Sequence, residues 1–256
     1  MIKKLRIIPI ATLLTLPFFI RSSNLLAIGV EAALGLAQIS PKGQLGYKSD
    51  GLDLKNDLNY GKVLSYNARV KLDLPLFLPN IYFLATPLRF EEIGSKTIGF
   101  QFGDNAFTSN QSYTTKLQLD HYDTALYYGI PLLETATIDK LNIEFGINTR
   151  LLDFSAAIDQ PASGLAQSKR QLLPVPMGLV MLQFRPVKKI NVEAEFRGIQ
   201  ILNNHYYDAI GRLKYRILKV LFVDVGYKYQ SIIIDQSDIK ANLQFGGPTF
   251  ELGAEF

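Results

Sequence analysis

Apolar and polar residues alternate along several stretches of the chain with a period of two, the signature of strands with one oily and one wet face. Leu64, Tyr66, Ala68, Val70, Leu72 and Leu74 share one face; Ser65, Asn67, Arg69, Lys71 and Asp73 share the other. Ile190, Val192, Ala194 and Phe196 oppose Asn191, Glu193, Glu195 and Arg197. Tyr207, Ala209, Gly211, Leu213, Tyr215 and Ile217 oppose Asp208, Arg212, Lys214 and Arg216. Leu221, Val223, Val225, Tyr227 and Tyr229 oppose Asp224, Gly226, Lys228 and Gln230. Ten such segments are expected, at 28–38, 63–75, 80–91, 113–130, 139–156, 169–185, 189–201, 205–217, 219–233 and 240–256.

Alternation alone leaves open which face looks inward. A soluble sandwich hides its oily face in a core, whereas a membrane barrel turns it to lipid and keeps charges in the lumen. The segments suit tilted membrane crossings of about 9–11 residues better than soluble strands of about 5–6. Connections alternate between short and long, and tyrosines lie near segment ends, as in an interfacial girdle. With lipid outside, the reverse register would set Arg197, Arg212, Lys214, Arg216 and Lys228 against hydrocarbon. At about 2–4 kcal/mol each, that costs on the order of 10–20 kcal/mol. The expected fold is therefore all-β, a transmembrane antiparallel up-and-down β-barrel of about ten strands.

Two segments disturb the rhythm. Alternation breaks near His121 in the fourth, and the sixth carries Pro174 and Pro176. A bulge in each is one way to keep them in a ladder. The connections at 39–62 and 92–112 are rich in turn residues and read as solvated surface loops, where binding residues often lie.

Composition adds a leader. Residues 1–27 hold Lys3, Lys4, Arg6 and Arg21, no acid, and an apolar run from Ile7 to Ile20. That run is too short for a spanning helix of about 20 residues. It reads as a cleaved signal peptide ending at Ala27, with the barrel at 28–256. An uncleaved N-terminal anchor is the other reading. The chain has 27 basic and 23 acidic residues; removing the four basic leader residues leaves 23 against 23. Net positive charge thus gives no case for nucleic acid. A hydrophobic fraction of 48% excludes a disordered chain, and the absence of cysteine excludes disulfides and thiolate chemistry.

Catalytic chemistry is thinly represented. The two histidines are His121 and His205. Asp120 adjoins His121 but points to the opposite face, and Asp123 shares its face without a visible nucleophile. His205 with Asp208 and Asp235 is a faint echo of a protease-type acid–histidine arrangement. Neither histidine has a serine two residues away. Asp50, Asp53 and Asp57 lack a calcium-loop spacing. No catalytic residue, metal site or cofactor is assigned.

The informative constellation is the charged inner face. Adjacent strands bring Glu193, Glu195 and Arg197 beside Arg212, Lys214 and Arg216, then Asp224 and Lys228, which can pair across strands. Barrels of about eight strands are filled by side chains and those of 16–18 are open, so ten strands imply a filled or narrowly conducting lumen.

Phe250, Leu252, Ala254 and Phe256 share one face of a last strand that ends on an aromatic residue. This resembles the assembly signal of outer-membrane barrels, with Phe250, Leu252 and Phe256 as its carriers. Leu173-Pro174-Val175-Pro176-Met177, Tyr206-Tyr207-Asp208, Val225-Gly226-Tyr227-Lys228 and Phe245-Gly246-Gly247-Pro248 with the final Phe resemble a bacterial outer-membrane β-barrel family marked by a C-terminal Gly-Gly motif. The resemblance covers roughly residues 170–256. It implies residence in a Gram-negative outer membrane and brings no known reaction. Gly246-Gly247 itself suits a bend at barrel closure. The expected role is a membrane scaffold, a small-solute path or a loop-mediated binding surface; the alternatives are a porin-like transporter and a barrel enzyme acting on protein or lipid. Expected partners are outer-membrane lipid, the barrel-assembly machinery and a small solute.

Overall fold

A computed structural model of the protein describes residues 28–75, 77–236 and 238–256; the expected leader at 1–27 lies outside them. The strands are β1 (Gly29–Tyr47), β2 (Leu52–Asp53), β3 (Val63–Asp73), β4 (Asn80–Thr86), β5 (Arg89–Ser95), β6 (Phe100–Phe102), β7 (Asn105–Phe107), β8 (Ser112–Gly129), β9 (Leu141–Gln160), β10 (Leu165–Val187), β11 (Ile190–Ile201), β12 (Asn204–Arg216), β13 (Leu221–Gln236) and β14 (Ile239–Glu255). β4 and β5 keep one register against β8, interrupted at Pro87-Leu88, and act as one strand. Neighbours pair antiparallel and β14 returns to pair with β1, which closes a ten-stranded barrel. A short helix, α1 (Leu133–Ala136), sits in the connection between β8 and β9, at the same end as both termini of the barrel.

The strands run further from that end than their alternation suggests. β1 continues to Tyr47 and β9 to Gln160. Along these extensions the apolar face changes sides. On β14, Phe250 and Leu252 point outward and Glu251 inward; nearer the loops Leu243 and Phe245 are buried inside while Lys240, Asn242 and Gln244 face out. β9 does the same, from outward Ile147 and Leu151 to inward Leu152, Phe154 and Ile158. The cause is the solvent. Within the bilayer the outside of the wall is hydrocarbon; beyond it the outside is water, and apolar side chains turn to the interior.

This inversion explains the fourth segment. The β8–β9 ladder runs without a shift from Thr114 to Gly129, so no bulge accounts for the break. His121 and Asp123 belong to the wet interior, Leu117 and Leu119 to the oily interior above it, and alternation breaks where the two meet. The sixth segment also lacks a bulge at its prolines. β10 pairs continuously with β9, and Pro174 and Pro176 lie where β10 has no ladder to β11.

The two long loops are not the solvated segments their composition suggests. Leu52, Leu54, Leu58 and Tyr60 from the first, and Phe102 and Phe107 from the β6–β7 hairpin in the second, are buried in one cluster with the upper strand interiors. Loop polar groups hold this cap in place. The Tyr113 hydroxyl donates to the Asp57 carbonyl (2.6 Å), Lys48 pairs with Asp104 (2.8 Å), and Gln160 Nε2 donates to the Thr108 carbonyl (2.9 Å).

Gly247 serves closure. A Cβ built there would stand 1.8 Å from the Gln38 carbonyl oxygen, where β1 meets β14. Gly211, on the lipid face of β12, has nothing within 4 Å of its would-be Cβ. Gly247→Ala is therefore expected to destabilise the barrel by about 1–3 kcal/mol, the usual cost of overpacking. Gly211→Ala should leave stability unchanged. The urea midpoint of heat-modifiable mobility for the two variants checks the contrast.

Candidate functional site

Period two places the polar residues of every strand on one wall of an enclosed space, and cross-strand register decides who meets whom. Arg69 on β3 is the hub. Its Nε donates to Glu251 (2.7 Å) and its Nη2 to Asp224 (2.8 Å), and it also pairs with Glu31. Lys214 bridges Glu31 (2.9 Å) and Glu193 (2.6 Å). Glu195 pairs with Arg197 and with Arg212 (3.2 Å), and Arg212 lies 3.6 Å from Glu251. A second cluster centres on Arg150, which holds Asp123 (2.9 Å) and Asp208 (2.7 Å). Asn148 donates to Asp123 (2.6 Å) and Gln230 to Asp208 (2.9 Å), and Lys228 stands 3.5 Å from Asp208. Aromatic faces take the flanks of the cations: Arg197 lies over Tyr82 and Arg150 over Tyr206, each 4.8 Å from the ring centroid.

Of the residues expected in the lumen, Glu193, Glu195, Arg197, Arg212, Lys214, Asp224 and Lys228 are buried in this layer. Arg216 is not; it sits half-exposed at the mouth and pairs with Glu255 (2.8 Å). The geometry adds Glu31, Arg69, Asp123, Arg150, Asp208 and Glu251. They occupy inward positions of the alternation on β1, β3, β8, β9, β12 and β14. What the sequence lacks is the pairing itself, because Arg69 and Glu251 meet only when the barrel closes. Phe250 and Leu252 face the lipid side, and the Phe256 amide donates to the Val30 carbonyl (2.8 Å) across the closing seam.

Cavities lie on either side of the charged layer. At the end with the termini, a polar vestibule of about 590 Å³ is lined by Lys71, Asp73, Glu144, Lys188, Arg216 and Glu255 among others. On the loop side, among the upper ends of β10 to β14, an apolar chamber of about 460 Å³ is lined by Leu173, Val175, Ile199, Ile232, Ile234 and Leu243 among others. A void beside Asn67, Lys228 and Gln230, where the charged layer meets the apolar storey, holds about 10 Å³. That is at the lower limit for one water molecule.

The histidines have separate surroundings. His121 is buried in the charged layer, with Nδ1 3.0 Å from the Leu119 carbonyl and Nε2 near Lys228 (3.5 Å) and Gln230 (3.4 Å). His205 faces outward, stacks on Tyr207 at 4.4 Å and places Nε2 3.0 Å from Ser231 Oγ on the next strand. A serine partner thus comes from β13, where no spacing within one strand could show it. Asp208 points into the lumen, and Asp235, whose amide donates to Asn204 Oδ1 (2.6 Å), makes no hydrogen bond to His205 among the described residues, so neither acid of the suggested group partners the histidine. Asp53 and Asp57 order their own loop: Asp53 accepts the Lys55 and Asn56 amides (2.9 and 2.7 Å) and Asp57 accepts the Asp53 amide (2.9 Å).

The chain matches no model of a known protein family, and no curated protein matches its sequence. Solved structures do match its fold. The outer membrane protease OmpT from Escherichia coli superposes with a TM-score of 0.55 at 11% identity, covering 89% of this chain and 96% of that one. Ail of Yersinia pestis gives 0.37 at 9% identity over 90% and 99% of the two chains. Neisserial surface protein A gives 0.31 at 11% identity over 90% and 97%. At these identities the OmpT likeness shows the fold alone. Together with the lipid-facing exterior, that fold makes the chain an integral β-barrel of the bacterial outer membrane.

Removing one member of a buried ion-pair cluster strands its partners. Arg69→Met leaves Glu31, Asp224 and Glu251 short of a cation and should cost about 3–5 kcal/mol, whereas Arg216→Met at the wet mouth should cost less than about 1 kcal/mol. Urea unfolding of the refolded variants in detergent measures both.

Proposed function

We propose that the protein is a plugged, non-conducting barrel that serves as a membrane scaffold and presents its capped loop face to the exterior. The observation that carries this reading is the layer of interlocked ion pairs between the vestibule and the chamber. A hydrated ion crossing it would have to break buried ion pairs such as Arg69–Glu251 and Arg150–Asp208. For the porin-like alternative this layer stands across the path, and the void beside it holds about 10 Å³. Resemblance over residues 170–256, and the use of Gly247 at the closing seam, support kinship with the Gly-Gly family. The same reading takes residues 1–27 as an export signal of a Gram-negative cell, outer-membrane lipid as the partner of the exterior, and Phe250, Leu252 and Phe256 as the handle for the assembly machinery.

One observation favours a second reading, a lipid-modifying enzyme. His205 and Ser231 are within hydrogen-bonding distance on the outward face, as a base and nucleophile would be. Among the described residues no carboxylate orients the histidine from its other nitrogen, and this places the scaffold reading first.

Two measurements separate these readings. Reconstituted in planar bilayers, the protein should give flat current traces; stepwise conductance would return the porin. Detergent-purified barrel should release no fatty acid from phospholipid micelles. Release that disappears in both Ser231→Ala and His205→Ala would make it an enzyme.

A further inference from the structure

The barrel wall is incomplete on one side. The β10–β11 ladder ends at the pair Gly178–Gly198. Beyond it β10 continues from Met177 back to Leu165 paired only with β9, while Ile199–Ile201 of β11 pair only with β12. Continuing the register would set Pro176 opposite Gln200 and Pro174 opposite Leu202. Neither proline has an N–H to give, so both blunt this edge against pairing. The top of the free edge is held by the cap, where Asn105 donates to the Ala166 carbonyl (2.9 Å).

Two further observations fix what the gap connects. Outward-facing Leu172, Pro174 and Pro176 border it on β10 and are exposed and apolar, whereas outward Arg170 above them pairs with Asp153 (2.7 Å). On the β11 side the outward residue is Gln200, which accepts a hydrogen bond from the Tyr207 hydroxyl, and Leu172 lies in register with Asp153. The lower part of the gap, at Pro174 and Pro176, therefore opens at the upper edge of the lipid band, and Arg170 stands above it. On the inside, Leu173, Val175 and Ile199 line both the gap and the apolar chamber, and Ile232, Ile234 and Leu243 form its far wall. Lys169, Gln171 and Gln236 lie at the polar upper rim. An oily cavity of about 460 Å³ is within the range of ligand sites.

We infer that this chamber is a binding site for the acyl chain of an outer-leaflet lipid, which enters sideways between β10 and β11. The occupant follows from what the gap faces: the chamber communicates laterally with hydrocarbon, where acyl chains are the solvent. An amphiphile in that position places its chain against the isoleucines and its head group at Lys169 and Gln171. The chamber stands above the charged layer, so the inference does not rest on the lumen being closed to ions.

The chain has no Trp and no Cys, which makes single reporters clean. Three variants, Ile234→Trp inside the chamber, Leu172→Trp on the lipid face and Tyr47→Trp beneath the cap, are reconstituted into vesicles of phospholipid with brominated acyl chains. Heat-modifiable mobility confirms that each has folded. The expected result is loss of Ile234→Trp fluorescence to the extent seen for Leu172→Trp, with Tyr47→Trp unaffected. Adding Pro176→Cys and Gln200→Cys and bridging them with a bifunctional maleimide should protect Ile234→Trp. Unquenched Ile234→Trp in the unbridged barrel overturns the site. Quenching that survives the bridge overturns the lateral route. Quenching only by brominated fatty acid added to the medium overturns the membrane as the source.

Discussion

Everything in this barrel follows from which side of its wall is wet. A β-strand offers two faces and no choice about their alternation. In the bilayer the outside is dry, so Ile147, Val225 and Leu252 go out and the ionised groups go in. Above the bilayer the outside is water, and the same strands, without slipping by a residue, place Phe154, Ile232 and Leu243 inside. The result is two storeys in one cylinder, a charged one and an oily one.

The charged storey holds the cylinder together in a way backbone ladders alone do not. Ladders join each strand to its neighbours, but Arg69 joins β3 to acids on β1, β13 and β14 at once. Arg150 likewise reaches from β9 to β8 and across the lumen to β12. Such groups gain partners only in the closed barrel, so a partly assembled sheet leaves them without compensation. Whatever stability the pairs add, they penalise wrong strand registers, because a slip of one residue would turn the charges toward lipid.

The membrane-spanning half was legible in the sequence because its physics is local. Alternation over Leu64–Leu74 or Leu221–Gln230 needs no knowledge of any other strand, and lipid fixes its sense. The upper half was not, because its oily residues sit among turn-forming neighbours: Leu52, Leu54 and Leu58 are surrounded by Asp, Lys and Asn, and Phe102 adjoins Gly-Asp-Asn. Their burial depends on a lid that only tertiary contacts create. The same limit hid the His205–Ser231 contact and the meeting of Arg69 with Glu251, which span 26 and 182 residues. Pro174 and Pro176 look like irregularities in a ladder from the sequence alone; the ladder to β9 runs through them, and the one to β11 has already ended at Gly178.

The lid also bears on biogenesis. Loops at the end remote from the termini must cross hydrocarbon during insertion, and each charged or polar side chain raises that toll while each apolar one lowers it. The first two loops carry Asp50, Asp53, Lys55, Asp57 and Asp104 beside Leu54, Leu58, Phe102 and Phe107, so the charged residues dominate that toll. In the finished barrel Leu54, Leu58, Phe102 and Phe107 share one buried cluster with Leu243 and Phe245 of the last strand, so the lid can be complete only where the two ends of the chain have met.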